Sequence, residues 1–159
     1  MPLTVERLKE VLFYDPATGE FAWIAGHRAW LPTGGASPRG YKVIMVDQRL
    51  YSAHRLAWLY MTGAWPTKSI DHANQIGSDN RWCNLREATP TQQNANVPVK
   101  SSSRSGVKGV RFRDKKRKWC AEIRISGKKK CLGYFDKIED AARAYRTKAR
   151  ELYGEFASF

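Results

Sequence analysis

The residues able to do chemistry stand close together in one stretch of the chain. Asp71 and His72 are adjacent, Asn84 lies twelve residues beyond His72, and Asn94 ten beyond Asn84. Between them, Ala73 to Arg81 is polar, with Asn74, Gly77, Asp79 and Asn80. An imidazole, a carboxylate and amides are the parts that phosphodiester hydrolysis uses. A base with a near-neutral pKa takes a proton from water, and a cation on oxygen ligands neutralises the phosphate and the departing oxygen. A quieter assignment fits the same residues: His72 hydrogen-bonding a turn, Asn84 capping one, and Asn94 solvated. Neighbours on a strand point to opposite sides, so Asp71 and His72 approach one phosphate only at a twisted or bulged strand end.

The elements that must position these groups follow from pattern. Strand, polar loop, strand and helix is the expected order over Ile70 to about Val97, with Thr89 capping the helix and Pro90 in its first turn. Upstream, Val5, Leu8, Val11 and Leu12 form a helical stripe started by Thr4. Phe13-Tyr14 and Phe21-Ala22-Trp23 flank Asp15-Pro16-Ala17-Thr18-Gly19, which reads as a hairpin. Residues 31–40, with Pro32, Gly34, Gly35, Pro38 and Gly40, suit a loop. Tyr41–Val46 and Leu50–Ala53 read as a second hairpin around Asp47-Gln48-Arg49. His54 to Met61 reads as a buried helix ended by Gly63 and Pro66.

Charge separates the chain into two parts. The 159 residues carry 28 Lys and Arg against 15 Asp and Glu, a net of +13. Residues 1–100 hold 11 basic and 8 acidic side chains, whereas residues 101–159 hold 17 and 7. Such an excess attracts polyanions, of which nucleic acid is the commonest for a soluble protein. No apolar run approaches the ~18 residues of a spanning helix, and no signal-peptide pattern opens the chain. Cys83, Cys120 and Cys131 are odd in number and lack a Cys-x-x-Cys pair, so neither a zinc knuckle nor a disulfide framework is indicated. A reduced, intracellular location follows as the expectation.

Pro98 to Ser105, with three consecutive serines, reads as a linker. Beyond it the pattern changes to alternation. Trp119, Ala121, Ile123 and Ile125 share one strand face, with Lys118, Cys120, Glu122 and Arg124 on the other. Val110–Arg113 supplies the strand before, Ser126-Gly127 a turn, and Lys128–Phe135 the strand after. Ala141, Ala142, Tyr145, Ala149 and Leu152 fall at helical spacing in Glu139–Leu152. One helix then covers the apolar face of a three-stranded sheet and leaves Arg111, Arg113, Lys118, Arg124 and Lys129 on the opposite face.

Two resemblances add to this reading. The run Ile70-Asp71-His72 through Asp79-Asn80-Arg81-Trp82-Cys83-Asn84-Leu85-Arg86-Glu87-Ala88-Thr89, with Ala53-His54-Arg55-Leu56-Ala57-Trp58 upstream, resembles the zinc-free HNH homing endonucleases of phages and mobile introns. Asp79-Asn80 stands where two asparagines are usual. The resemblance implies a ββα-metal finger gripping one divalent cation, Mg2+ or Mn2+, with no zinc. It implies Asp71 as a metal ligand, His72 as general base, and Asn84 as the residue that holds the hairpin and orients His72. The helix ligand is Asn94 by residue type and Gln93 by spacing. For His54 it implies support of the finger rather than cleavage. The C-terminal part resembles the ethylene-response-factor (apetala) DNA-binding domain through Gly109-Val110-Arg111, Trp119-Cys120-Ala121-Glu122-Ile123-Arg124, Leu132-Gly133-Tyr134-Phe135 and Glu139-Asp140-Ala141-Ala142-Arg143-Ala144-Tyr145. That implies a sheet in the major groove, with Lys108, Arg111, Arg113, Glu122, Arg124, Lys129 and Tyr134 at groove or phosphate contacts. Cys131 stands where that family often has a contacting Trp, and Lys116 or its neighbours replace another.

The expected protein is α+β: a ββα-metal HNH nuclease domain over 1–97, a linker over 98–105, and over 106–159 a three-stranded antiparallel sheet packed on one helix. The expected activity is metal-dependent hydrolysis of duplex DNA, homing in type, by nicking or by double-strand cutting, and the HNH resemblance implies a 5′-phosphate and a 3′-hydroxyl as products. Double-stranded DNA is the expected partner, with no membrane and no small-molecule substrate. The chain is expected as a monomer or weak dimer in the cytoplasm of a bacterial or phage-infected cell. The alternatives are a non-catalytic DNA-binding regulator with a vestigial finger, and an RNA-binding or structural basic protein.

Overall fold

The computed structural model describes residues 3–26, 29–38, 40–125 and 127–159. It is an α+β chain of two compact units, Met1–Thr89 and Pro90–Phe159.

In the first unit, α1 (Val5–Val11) begins where the Thr4 hydroxyl accepts from the Arg7 N–H at 3.2 Å. It runs straight into β1 (Leu12–Tyr14), which pairs antiparallel with β2 (Phe21–Trp23). The turn between them is held by Asp15, whose Oδ1 accepts from the Ala17 N–H at 2.9 Å. Residues 31–40, expected as a loop, contain β3 (Pro32–Thr33), which pairs with β2, and β4 (Gly35–Ala36), which pairs with β5 (Lys42–Val46). Each is two residues long; proline cannot donate to a ladder, and neighbouring glycines weaken it. Arg39 lies outside the described residues. β5 turns through Asp47 and Gln48, both at positive φ, into β6 (Arg49–Ser52). α2 (Ala53–Thr62) follows and ends on Gly63 in the left-handed region, φ 77°. Leu8, Leu12, Tyr14, Phe21, Ile44, Val46, Leu56 and Leu59 form the core, and Ile70 and Leu85 reach it from β7 (Ser69–His72) and β8 (Leu85–Ala88). The antiparallel pair β7–β8 is thus anchored by one apolar side chain per strand.

The second unit opens with α3 (Pro90–Asn96) and continues through β9 (Val110–Arg113), β10 (Lys118–Ile125), β11 (Lys128–Phe135) and α4 (Ile138–Tyr153). β10 lies between the other two strands, antiparallel to both. Of the turn expected at Ser126-Gly127, Ser126 lies outside the described residues. α4 places Ala141, Tyr145 and Ala149 against Val110, Ala121 and Ile123. Alanines let the helix approach closely, and Gly109 permits the closest contact: a Cβ there would fall 2.2 Å from the Tyr145 ring. Leu152, expected in the buried stripe, is exposed at the last turn of α4. Cys120 points to the face opposite α4 and is nonetheless fully buried, because Glu122, Arg113 and Cys131 cover it. Its sulfur lies 3.4 Å from that of Cys131, a proximity created by the β10–β11 pairing. Residues 98–105, expected as a linker, lie inside this unit, and the units part at Thr89–Pro90. Side-chain bonds account for the difference: Ser105 Oγ donates to the Val110 carbonyl at 2.6 Å and accepts from the Val107 N–H at 3.2 Å.

Candidate active site

Asp71 and His72 end β7 side by side, and both are buried, at 9% and 5% exposure. Antiparallel register sets Asp71 opposite Arg86 and His72 opposite Leu85. Arg86 Nε and Nη2 each donate to Asp71 Oδ2 at 3.0 Å, so a guanidinium holds the carboxylate across the strand pair. His72 Nε2 lies 3.2 Å from Oδ1 of Asn80, which is itself only 1% exposed. With that acceptor, the neutral imidazole carries its hydrogen on Nε2 and its basic lone pair on Nδ1. Asn80 is fixed in turn by the Tyr14 hydroxyl, which donates to its carbonyl at 2.7 Å.

Asn84 closes the loop that carries Asn80. Its Oδ1 accepts from the Asn74 N–H at 2.9 Å, its Nδ2 donates to the Asp79 carbonyl at 2.7 Å, and its own carbonyl accepts from the Ala73 N–H at 2.9 Å. One short amide therefore spans the loop from both ends. Asp79 adds a second brace through Arg81 Nε at 2.9 Å and Asn74 Nδ2 at 2.6 Å. The Arg81 guanidinium beside it pulls the Asp79 carboxyl down to about 2. Gly19 lets the β1–β2 turn abut this loop: a Cβ there would lie 2.4 Å from Arg81 N and from the Asn80 carbonyl carbon.

Two rings flank the base. His54, at the start of α2, meets His72 edge-on at 5.3 Å between centroids, and Tyr41 lies 5.8 Å from His72 and 5.4 Å from His54. Gly77 makes room for Tyr41, since a Cβ would fall 2.9 Å from its ring. Burial pushes the His72 imidazole below its usual range, while Asn80, Asp71 and Asp79 pull the other way. Burial, helped by His72 and Arg55, takes His54 down to about 4, and His54 Nδ1 has no hydrogen-bond partner among the described residues. Both imidazoles are therefore neutral at pH 7, the protonation state that a general base requires.

Among the described residues no group of three His, Cys, Asp or Glu side chains suits a metal ion. Asp71 supplies a single carboxylate, and the other polar side chains nearby are mostly amides. That donor set matches a hard divalent cation that retains several waters, as magnesium does. Gln93 and Asn94 lie on α3 in the second unit, Gln93 half-buried and Asn94 exposed. Asn94 lines a cavity of about 480 Å³ in that unit together with Lys108, Arg111, Glu122, Arg124 and Lys129.

The basic face of the sheet carries a carboxylate at its centre. Glu122 pairs with both Arg111 and Arg113, which draws its carboxyl below the usual range against the opposing effect of burial. Arg124 and Lys129 are exposed, and Tyr134 is exposed with Lys116 Nζ 3.7 Å from the centre of its ring. Lys108 differs: its ammonium donates to the carbonyls of Ala95 and Val97, each at 2.5 Å.

Sequence reasoning missed Arg86, Asn80 and Tyr41. The first two were within reach. Arg86 follows from pairing Ile70–His72 antiparallel with Leu85–Ala88, and Asn80 is the polar residue that ends the loop. Tyr41 comes from a remote hairpin and left no local signal.

Two curated proteins are similar to this chain in sequence. The chain is 33% identical to "Protein 3.8" of Escherichia phage T7 over 90 residues, which cover 57% of this chain and 74% of the phage protein. The chain belongs to that protein's family. Its residues 51–95 match the family model described as HNH endonuclease, a span that contains Asp71, His72, Asn80, Asn84 and Arg86. The HNH segment thus runs from β6 to the penultimate residue of α3. A second relative is "Dehydration-responsive element-binding protein 1I" of Oryza sativa subsp. japonica, 27% identical over 101 residues. That match covers 62% of this chain but 40% of the rice protein, less than half its length. No solved structure matches. No helix among the described residues is long and apolar enough to cross a membrane.

Proposed function

We propose that this HNH-family chain is a divalent-metal-dependent DNA endonuclease of the homing type, which cuts one strand of a duplex at each encounter. The observation that carries the reading is His72: a buried, neutral imidazole held by Asn80, next to a carboxylate held by Arg86. As general base, His72 takes the proton from the attacking water. Asn80 fixes the ring so that the lone pair has one direction, and Asn84 fixes the loop that carries Asn80. Asp71 would hold one Mg2+ or Mn2+, and the HNH resemblance adds an amide of Gln93 or Asn94 as the candidate helix ligand. When bound, that ion neutralises charge on the scissile phosphate and on the departing oxygen. Arg86 holds the Asp71 carboxylate in place before DNA arrives.

The C-terminal sheet binds the duplex. Its support is the charge excess after residue 100, the exposed Arg124 and Lys129, and the pair Arg111 and Arg113 bridged by Glu122. Fixed forks of this kind suit guanine edges and phosphates.

A supercoiled-plasmid nicking assay with and without EDTA tests the reading. The wild-type chain should nick with Mg2+ or Mn2+, whereas Asp71→Ala and His72→Ala should bind DNA and leave it intact. Cleavage at the wild-type rate by His72→Ala would remove the mechanism. One observation favours a second reading. The two bonds from Arg86 to Asp71 would also serve a finger kept only as scaffold in a DNA-binding regulator. Tight, salt-sensitive binding without nicking in either metal would select it.

A further inference from the structure

Lys108 was expected at a groove or phosphate contact, and its ammonium bonds elsewhere. α3 has seven residues, too few to persist alone in water. Its last four carbonyls have no partner within the helix. Ala95 O is one of these, and it accepts from Lys108 Nζ at 2.5 Å and from Ser158 Oγ at 3.0 Å. The Val97 carbonyl, one residue past the helix, accepts from the same two groups at 2.5 and 3.3 Å. Lys108 Nζ also donates to Ser158 Oγ at 3.0 Å, and the Ser158 N–H donates to Ala95 O at 3.4 Å. The ammonium therefore has three acceptors, matching its three hydrogens. Burial lowers Lys108 to about 8, unlike a lysine left in solvent for a phosphate.

We infer that Lys108, with Ser158 near the chain's end, is a positioning residue for α3: it caps the helix that bears Gln93 and Asn94 and does not neutralise a DNA phosphate. A cation at a helix C-terminus is favourable both as a hydrogen-bond donor and toward the helix dipole. Here the cap comes from just ahead of β9 and from the segment after α4, so the order of α3 depends on the fold of the sheet unit. The HNH family segment ends at residue 95, the buried Ala95 whose carbonyl is capped. The consequence for cleavage rests on the proposed nuclease reading, in which an α3 amide helps to hold the metal.

The test compares the full-length wild type with Lys108→Met, which keeps the apolar stem, and Ser158→Ala, a milder change that remains informative should Lys108→Met fail to fold. Three quantities are read: the salt dependence of duplex binding, the Mg2+ concentration required for plasmid nicking, and amide hydrogen exchange along α3. Lys108→Met should leave the salt slope unchanged and speed exchange in α3. It should also raise the Mg2+ requirement by ~10-fold or more, the usual effect of losing support behind a metal ligand. Nicking at saturating Mg2+ should recover, which a general loss of folded protein would not allow. Ser158→Ala should shift the same quantities in the same direction by less. A salt slope smaller by about one marks a phosphate contact and overturns the inference. Faster exchange with an unchanged Mg2+ requirement overturns the link to cleavage. If the wild type nicks in no divalent metal, the nuclease reading itself fails. Exchange and salt slope then still decide whether Lys108 serves the helix or the DNA.

Discussion

Removing the Asn84 side chain beyond Cβ tests whether the middle residue of the motif acts through the loop it spans. Asn84→Ala deletes the acceptor for the Asn74 N–H and the donor to the Asp79 carbonyl, bonds of 2.9 and 2.7 Å made by a side chain that is 6% exposed. Each lost bond costs about 1 kcal/mol net, and up to about 3 kcal/mol where the abandoned partner stays buried. The Asn74 and Asp79 groups lie nearer the surface and regain some water, so the sum is about 2–4 kcal/mol. Tryptophan fluorescence suits the measurement, because Trp23, Trp30, Trp58, Trp65 and Trp82 all lie in the first unit. With a urea slope of about 1 kcal/mol per molar for a unit of this size, the midpoint should fall by about 2 M or more. Asn84→Asp keeps the acceptor for Asn74 but turns a lone pair toward the Asp79 carbonyl, so it should rescue little. Nicking measured well below either midpoint should drop by roughly a hundredfold, the scale of a catalytic group displaced by about 1 Å, with duplex affinity unchanged. A midpoint shift under about 0.5 M, or Asn84→Asp equal to wild type, would refute the spanning role.

Three further outcomes follow from the same geometry. His54 has a folded pKa of about 4 against 6.5 ordinarily, so the unfolded chain takes up the proton first. Its contribution, about 3 kcal/mol, is fully present above pH 6.5 and is lost as pH falls toward 4. The depressed His72 adds with the same sign, and His54→Gln should flatten the pH dependence of the urea midpoint. At Gly19, φ is +77° and a Cβ would overlap backbone at 2.4 Å. Gly19→Ala should therefore cost about 2–4 kcal/mol and lower nicking without contacting the site, whereas unchanged nicking would mean that the turn does not set the Asn80 loop. Between Gln93→Ala and Asn94→Ala, the variant that needs more Mg2+ for nicking identifies the helix ligand. Equal requirements in both would leave α3 without a ligand role.

Local chemistry was legible in the sequence where a side chain acts on its own neighbours. The stripe of α1, the Asp15 turn, the helix stop at Gly63 and the alternation in β10 all depend on residues a few positions apart, and the structure places each as the pattern implies. The expectations that changed depend on contacts remote in sequence. Leu152 has the spacing of a buried residue but is exposed, and Tyr153 beside it packs on the sheet instead and donates to the Arg124 carbonyl. Cys120 has the register of an outer-face residue but is roofed by Glu122 and by Cys131 of the next strand. The serine-rich segment has the composition of a linker, yet its last serine, Ser105, bonds to the backbone of Val107 and Val110. Tyr41 reaches His72 from a hairpin some thirty positions away, and no periodicity reports such a contact.

The same distinction separates what charge says about a unit from what it says about a residue. An excess of cations over 101–159 measures the field that a polyanion meets, and that field is insensitive to where any one ammonium points. Lys108 shows the limit: it contributes to the count, yet its three hydrogens are taken by Ala95, Val97 and Ser158. Glu122 shows the converse. It subtracts from the count, yet by pairing with Arg111 and Arg113 it fixes two guanidinium forks that would otherwise move freely. Affinity follows the number of cations left to solvent, and specificity follows those that are held. Glu122→Gln should accordingly preserve or raise affinity for unrelated duplex while weakening the preference for any chosen sequence. A uniform loss of binding to all duplexes would instead make Glu122 a structural brace with no part in selection.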